Sequence, residues 1–195
     1  MGSHSFLGKL FHWGFVLLYA YGIFKQINDL SQLEDQALLQ FEVVFSVVFL
    51  ILVLSRYFYM RRFETFLGAA NEVHPLHKTM AKSVHLGMYA CLILLPVSGL
   101  AIAGLYTQGY TNEEGILLSF VLGVHALAAD LSYVLIAAHV IAAVYSRLKG
   151  EGVWTSMVPV WSERNAAASH LAVKITRFES TSLQALSRWS ASKKK

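Results

Sequence analysis

Charge is scarce in this chain and cysteine nearly absent. Of 195 residues 14% are charged and 55% hydrophobic, and the mean hydropathy is positive. That balance excludes an ordinary soluble domain of this size and reads as a membrane protein. The one cysteine, Cys91, lies in an apolar run, where it excludes a disulfide within one chain and reads as a small core residue. There is no catalytic triad, no Gly-rich phosphate loop and no nucleic-acid motif, so the net charge of +4 is assigned to loops and tail facing a membrane surface. No internal repeat and no long low-complexity linker divide the chain. No small-residue cleavage site follows the first apolar stretch, which is therefore read as a retained span.

What is present is four apolar segments, roughly Leu10 to Phe24, Leu39 to Tyr59, His85 to Leu105 and Leu117 to Tyr145. The expected fold is all-α: an integral membrane four-helix bundle over residues 1–150, followed over 151–195 by an interfacial segment and a C-terminal cytoplasmic amphipathic helix. Pro96, with Ser98 and Gly99 after it, is expected to kink or loosen the third helix, the freed carbonyl being satisfied by a neighbour or a serine hydroxyl. Asp29, Glu34, Asp35, Glu113 and Glu114 lie in the connections on one side, whereas Arg61, Arg62, Lys78, Lys82, Arg147 and Lys149 lie on the other. The positive-inside bias then puts both termini on the cytoplasmic side of the inner membrane, with the bilayer as the first partner. In the tail, Trp154, Met157, Val158 and Trp161 suit the headgroup boundary, and Leu171, Ile175, Phe178, Leu183, Leu186 and Trp189 recur at helical spacing among basic residues.

Ionisable side chains inside such spans are costly and mark a bundle interior, a wet cavity or a cofactor. His125 and His139 are fourteen residues apart on the fourth segment, hence within about 40° of one another around the helix and about 21 Å apart along it. His12 lies three residues past Lys9, His85 three past Lys82 and His139 eight before Arg147, so all three belong to the cytoplasmic level. His125 alone belongs to the outer level. On the second segment Glu42 matches His125 in depth and Arg56 matches His139. A b-type haem requires two axial donors from facing helices and a cation for its propionates, and the cytoplasmic level offers three imidazoles and a guanidinium. Ala128, Ala129 and Ser132, between the two histidines of the fourth helix, leave room for a flat ring or serve plain helix packing. With one cysteine and no two of these histidines at i, i+4, a compact zinc site is disfavoured. His74 and His77, in a loop reading EVHPLHK, are the weaker metal alternative, and His4 and His170 have no supporting context.

FHW in the first helix, HLGMY followed by LLPVSGL in the third, and a fourth helix bearing His125 and His139 together resemble the bacterial cytochrome b561 family, which includes the cytochrome b subunits of membrane-bound nickel–iron hydrogenases. The resemblance covers about residues 8 to 160. It implies that His12 and His139 hold a cytoplasmic-side haem b, with His85 in reserve, and that Arg56 matches a helix-two arginine of the family. It also implies an outer haem on His125 and a helix-two histidine, but here Glu42 stands at that place and the second segment has no histidine. A carboxylate is a poor axial ligand for low-spin haem, so one haem is expected and a second on His125 is the competing outcome. Without a metal beside it, Glu42 is expected to be protonated or hydrogen-bonded to His125.

The chain is thus expected to carry electrons between a redox partner subunit and quinone or another acceptor. The alternative is a haem-poor anchor or assembly subunit that docks a larger complex through its basic tail. A channel through Glu42 and Asp130 ranks third, because Asp130 lies about 140° around the helix from His125.

Overall fold

Each apolar segment forms a helix. The structure, a computed structural model, describes residues 6–27, 29–61 and 75–149, with positions 158, 177 and 181. The helices are α1 (Phe6–Phe24), α2 (Gln36–Arg61), α3 (Pro75–Thr107) and α4 (Ile116–Lys149), with a short 3-10 turn at Leu30–Glu34 and no strand among the described residues. The interfacial tryptophans and the apolar positions expected of an amphipathic tail helix lie outside the described residues, apart from Val158.

Among the described residues three helices are long and apolar enough to cross a membrane, over Gln36–Tyr59, Thr79–Thr107 and Ile116–Leu148. The expected fourth span is the exception. At 19 residues, α1 is the shortest of the four α-helices. Exposed Leu17, Ile51, Leu86, Phe120, Leu127 and Ile141 give the helix exteriors the apolar surface that lipid requires.

α3 begins ten residues before the apolar run at His85, so the EVHPLHK stretch is not all loop. Pro75 is its first helical residue, where the missing N–H costs nothing and the fixed φ suits the helix. The helix continues through Pro96 as one element. The Ser98 hydroxyl lies 2.6 Å from the Leu94 carbonyl and 3.0 Å from that of Leu95, tying the chain down just past the proline.

The turns at the acidic end are locally specified. The Asp29 carboxylate accepts from the Ser31 backbone N–H at 2.8 Å, which holds it below the usual carboxylate range, and Asp35 caps α2 by accepting from Ala37 N–H at 2.9 Å. Two residues past α3, Gly109 has a φ of 89° that allows Tyr110 N–H to reach Leu105 O, and its own N–H reaches Tyr106 O. This glycine-closed helix end turns the chain sharply into α4.

α3 packs along both α2 and α4, and α1 lies against α2. The core between the first three helices is Phe15, Phe49, Val53 and Leu92, with Tyr19, Phe45 and Tyr89 around it. The α1 and α4 backbones approach far less closely than those of α3 and α4, and long side chains bridge them: Tyr19 to Ser132 at 2.6 Å and Gln26 to Tyr133 at 2.8 Å. By contrast, a Cβ at Gly87 of α3 would lie 3.0 Å from Leu135 Cδ1 of α4. That neighbour is the end of a movable side chain, so Gly87→Ala should be tolerated, whereas Gly87→Phe should overpack the contact by about 1–3 kcal/mol. Thermal unfolding in detergent checks this, with a lowered Tm expected for Phe alone.

Candidate functional site

The seam of α4 organises the site. His125, Ser132, His139 and Ser146 recur every seven residues, and each step rises about 10.5 Å and turns only about 20°. The four side chains therefore share one face and occupy successive levels from the acidic to the basic end of the bundle.

At the basic end the structure brings together the residues that the sequence placed at one depth. His85 of α3 meets His139 of α4 with ring centroids 4.9 Å apart and planes at 83°. Arg56 of α2 lies 2.8 Å from His12 Nδ1 on α1 and also bonds the Tyr89 hydroxyl of α3. Its charge acts on both His85 and His139.

The hydrogen bonds assign the tautomers. Arg56 can only donate, so His12 Nδ1 accepts and the ring proton sits on Nε2. His85 Nδ1 donates to the Ala81 carbonyl at 2.7 Å, leaving its Nε2 as the acceptor nitrogen. Among the described residues no carboxylate forms an ion pair with Arg56. Neutral imidazoles on different helices and a buried guanidinium fit a low-spin haem and its carboxylates. The His85 and His139 rings meet edge to face and leave no slot between them for a flat ring.

At the middle level Ser132 donates to Ala129 O at 2.7 Å, so the Tyr19 hydroxyl donates to Ser132. Ala128 is buried, while Ala129 faces the cavity above.

At the acidic end lies a cavity of about 590 Å³, a size typical of small-molecule sites. Phe45, Phe49, Leu95 and Pro96 give it an apolar floor, and His125, Glu42, Lys25 and Asp130 supply polar groups. His125 Nδ1 lies 2.8 Å from Ser98 Oγ, whose own proton is spent on the Leu94 carbonyl, so His125 donates and keeps an acceptor at Nε2. The expected Glu42 to His125 hydrogen bond is not what forms. Lys25, one residue past α1, reaches Glu42 at 2.9 Å, and an ion pair at the cavity satisfies that carboxylate better than a neutral imidazole. Lys25 is held in place by lying 3.3 Å over the Phe41 ring. Asp130, placed by helix angle on a different face from His125, is exposed yet lines the same cavity.

Of the remaining candidates, His4, His74 and His170 fall outside the described residues, as does the side chain of His77. No group of three or more His, Cys, Asp or Glu among the described residues is arranged to hold a metal ion. Sequence reasoning missed Tyr89, the last residue of HLGMY, and Tyr19. It also missed Ser146, although the seven-residue recurrence on α4 was there to find it.

The family described as prokaryotic cytochrome b561 matches residues 3–160 of this chain. No curated protein and no solved structure matches it.

Proposed function

The chain belongs to the prokaryotic cytochrome b561 family, and we propose that it carries electrons between a redox partner subunit and the quinone pool or another acceptor, with one haem b at its basic, cytoplasmic end. Membership together with the membrane-length helices makes it a multi-pass membrane cytochrome of b type. The observation that carries the finer reading is the convergence of His12, Arg56, His85 and His139 from all four helices at one level.

His12 and His139 would hold the haem iron. They come from α1 and α4, one of the helix pairs whose backbones do not pack closely, whereas His85 is locked against His139 and to its own helix through Ala81. When bound, the haem supplies a one-electron redox centre. The chain supplies orientation and charge: Arg56 would turn from His12 to a haem carboxylate, with Tyr89 bonded to the guanidinium and Phe15 5.7 Å from it shielding it from water. At the acidic end Lys25 occupies Glu42, so that level offers His125 alone and its cavity is left for a quinone ring or lipid. The basic charge after Ser162 would face the cytoplasmic membrane surface or a partner.

Arg56→Leu removes a charge-assisted hydrogen bond to the cofactor, and haem affinity should fall at least about tenfold. Arg56→Lys should recover part of it, since the charge returns without the planar fork. Haem content at wild-type level in the Leu variant would count against this role. The function itself is tested by the visible spectrum of the purified protein. A sharp α band on dithionite reduction is expected, whereas a featureless spectrum would leave the haem-poor anchor as the reading.

A further inference from the structure

Three serines are buried among the described residues: Ser98, Ser132 and Ser146. In helices the common solution for such a hydroxyl is to donate to a carbonyl one turn back. Ser98 does so to Leu94 and Leu95, and Ser132 to Ala129, and each also serves as acceptor for a second side chain, His125 and Tyr19 respectively. Ser146 is different. It is 6% exposed, and its hydroxyl meets no hydrogen-bond partner. A buried hydroxyl left so costs about 1–3 kcal/mol, and in native proteins such a group marks a ligand, an ion or an ordered water.

The place of Ser146 decides between them. It is the fourth member of the α4 seam, one seven-residue step beyond His139 and on the same face, about 10.5 Å further toward the basic end. The step before it, from Ser132 to His139, links the middle of the bundle to the proposed axial ligand. A ligand centred on His139 and extending toward the basic end therefore passes along the seam to Ser146. Haem b has hydrogen-bond acceptors only at its two carboxylates; the remainder of its rim is hydrocarbon. Arg147 follows immediately, so the end of the seam is also positively charged.

We propose that the Ser146 hydroxyl donates a hydrogen bond to a carboxylate of the haem seated on His139. The inference rests on the reading of the basic end as a haem site and adds to it a positioning residue outside the histidine set. Arg56 approaches that level from α2 and Ser146 from α4, so the two fix the rotation of the ring about the His12 to His139 axis.

The test uses the full-length chain, produced under haem depletion and purified in detergent, titrated with haemin and separately with haemin dimethyl ester, whose carboxylates are masked. Ser146→Ala should weaken haemin binding about tenfold, the size expected of a hydrogen bond to a charged group. Its affinity for the ester should stay within about twofold of wild type, and Ser146→Thr should restore most of the haemin affinity. Equal haemin affinity in wild type and Ser146→Ala overturns the proposal. So does an equal loss for haemin and ester, which would assign the hydroxyl to packing or to a water. If the wild-type chain develops no Soret band with either compound, the haem site itself is absent, and that result is distinct from a variant-specific one.

Discussion

Substituting alanine for His139 or for His12 is expected to abolish the low-spin spectrum of the reduced protein, while His85→Ala keeps it. The expectation follows from where the three imidazoles stand. Low-spin haem requires two strong-field donors on opposite sides of a flat ring, so the donors must belong to helices far enough apart to admit it. α3 and α4 are not: Gly87 lies against Leu135, and the His85 and His139 rings are in edge contact at 4.9 Å. α1 and α4 approach less closely and are bridged by Tyr19, so a ring between His12 and His139 would have to be admitted there. His85 instead packs at the edge of His139 and should shift the band position when removed. If both the His12 and His139 variants kept a low-spin spectrum and the His85 variant lost it, the axial assignment would be wrong.

The helices and the depth of each histidine were legible in the sequence because both depend on periodicity and on counting from charged ends. Helix starts were less so. α3 extends to Pro75 because a proline at the first turn favours a helix that hydropathy alone does not register. Side-chain pairing was the least legible. Glu42 was read as a partner of His125, yet Lys25 lies just past α1 and Glu42 on α2, and only the packing of α1 on α2 sets them 2.9 Å apart. The same holds for Tyr89, whose bond to Arg56 crosses from α3 to α2. Ser98, Ser132 and Ser146 look alike in sequence, and their difference lies in which of them finds an acceptor.

Glu42→His should raise the haem content from about one to about two per chain, the second component being low-spin. The acidic-end cavity already has most of what a second haem requires. It holds about 590 Å³, Phe45 and Phe49 line it, and the ring of His125 is fixed through Ser98 with Nε2 as its acceptor nitrogen. What it lacks is a second imidazole. Glu42 lines the same cavity from α2, but its carboxylate is neutralised by Lys25 and is a poor axial donor for low-spin iron in any case. The histidine variant supplies the donor and releases Lys25, which can then face a haem carboxylate. Haem content unchanged in a folded Glu42→His variant would show that the cavity is shaped for something other than a macrocycle.

The number of haems in the wild-type chain tests the central claim most directly, because the proposed single low-spin centre at the basic end would distinguish this protein both from a two-haem carrier across the whole membrane and from a haem-free anchor. A pyridine haemochrome assay on purified protein, with chain concentration from quantitative amino-acid analysis, is expected to give close to one haem b per chain. A value close to two, or close to zero, would contradict it.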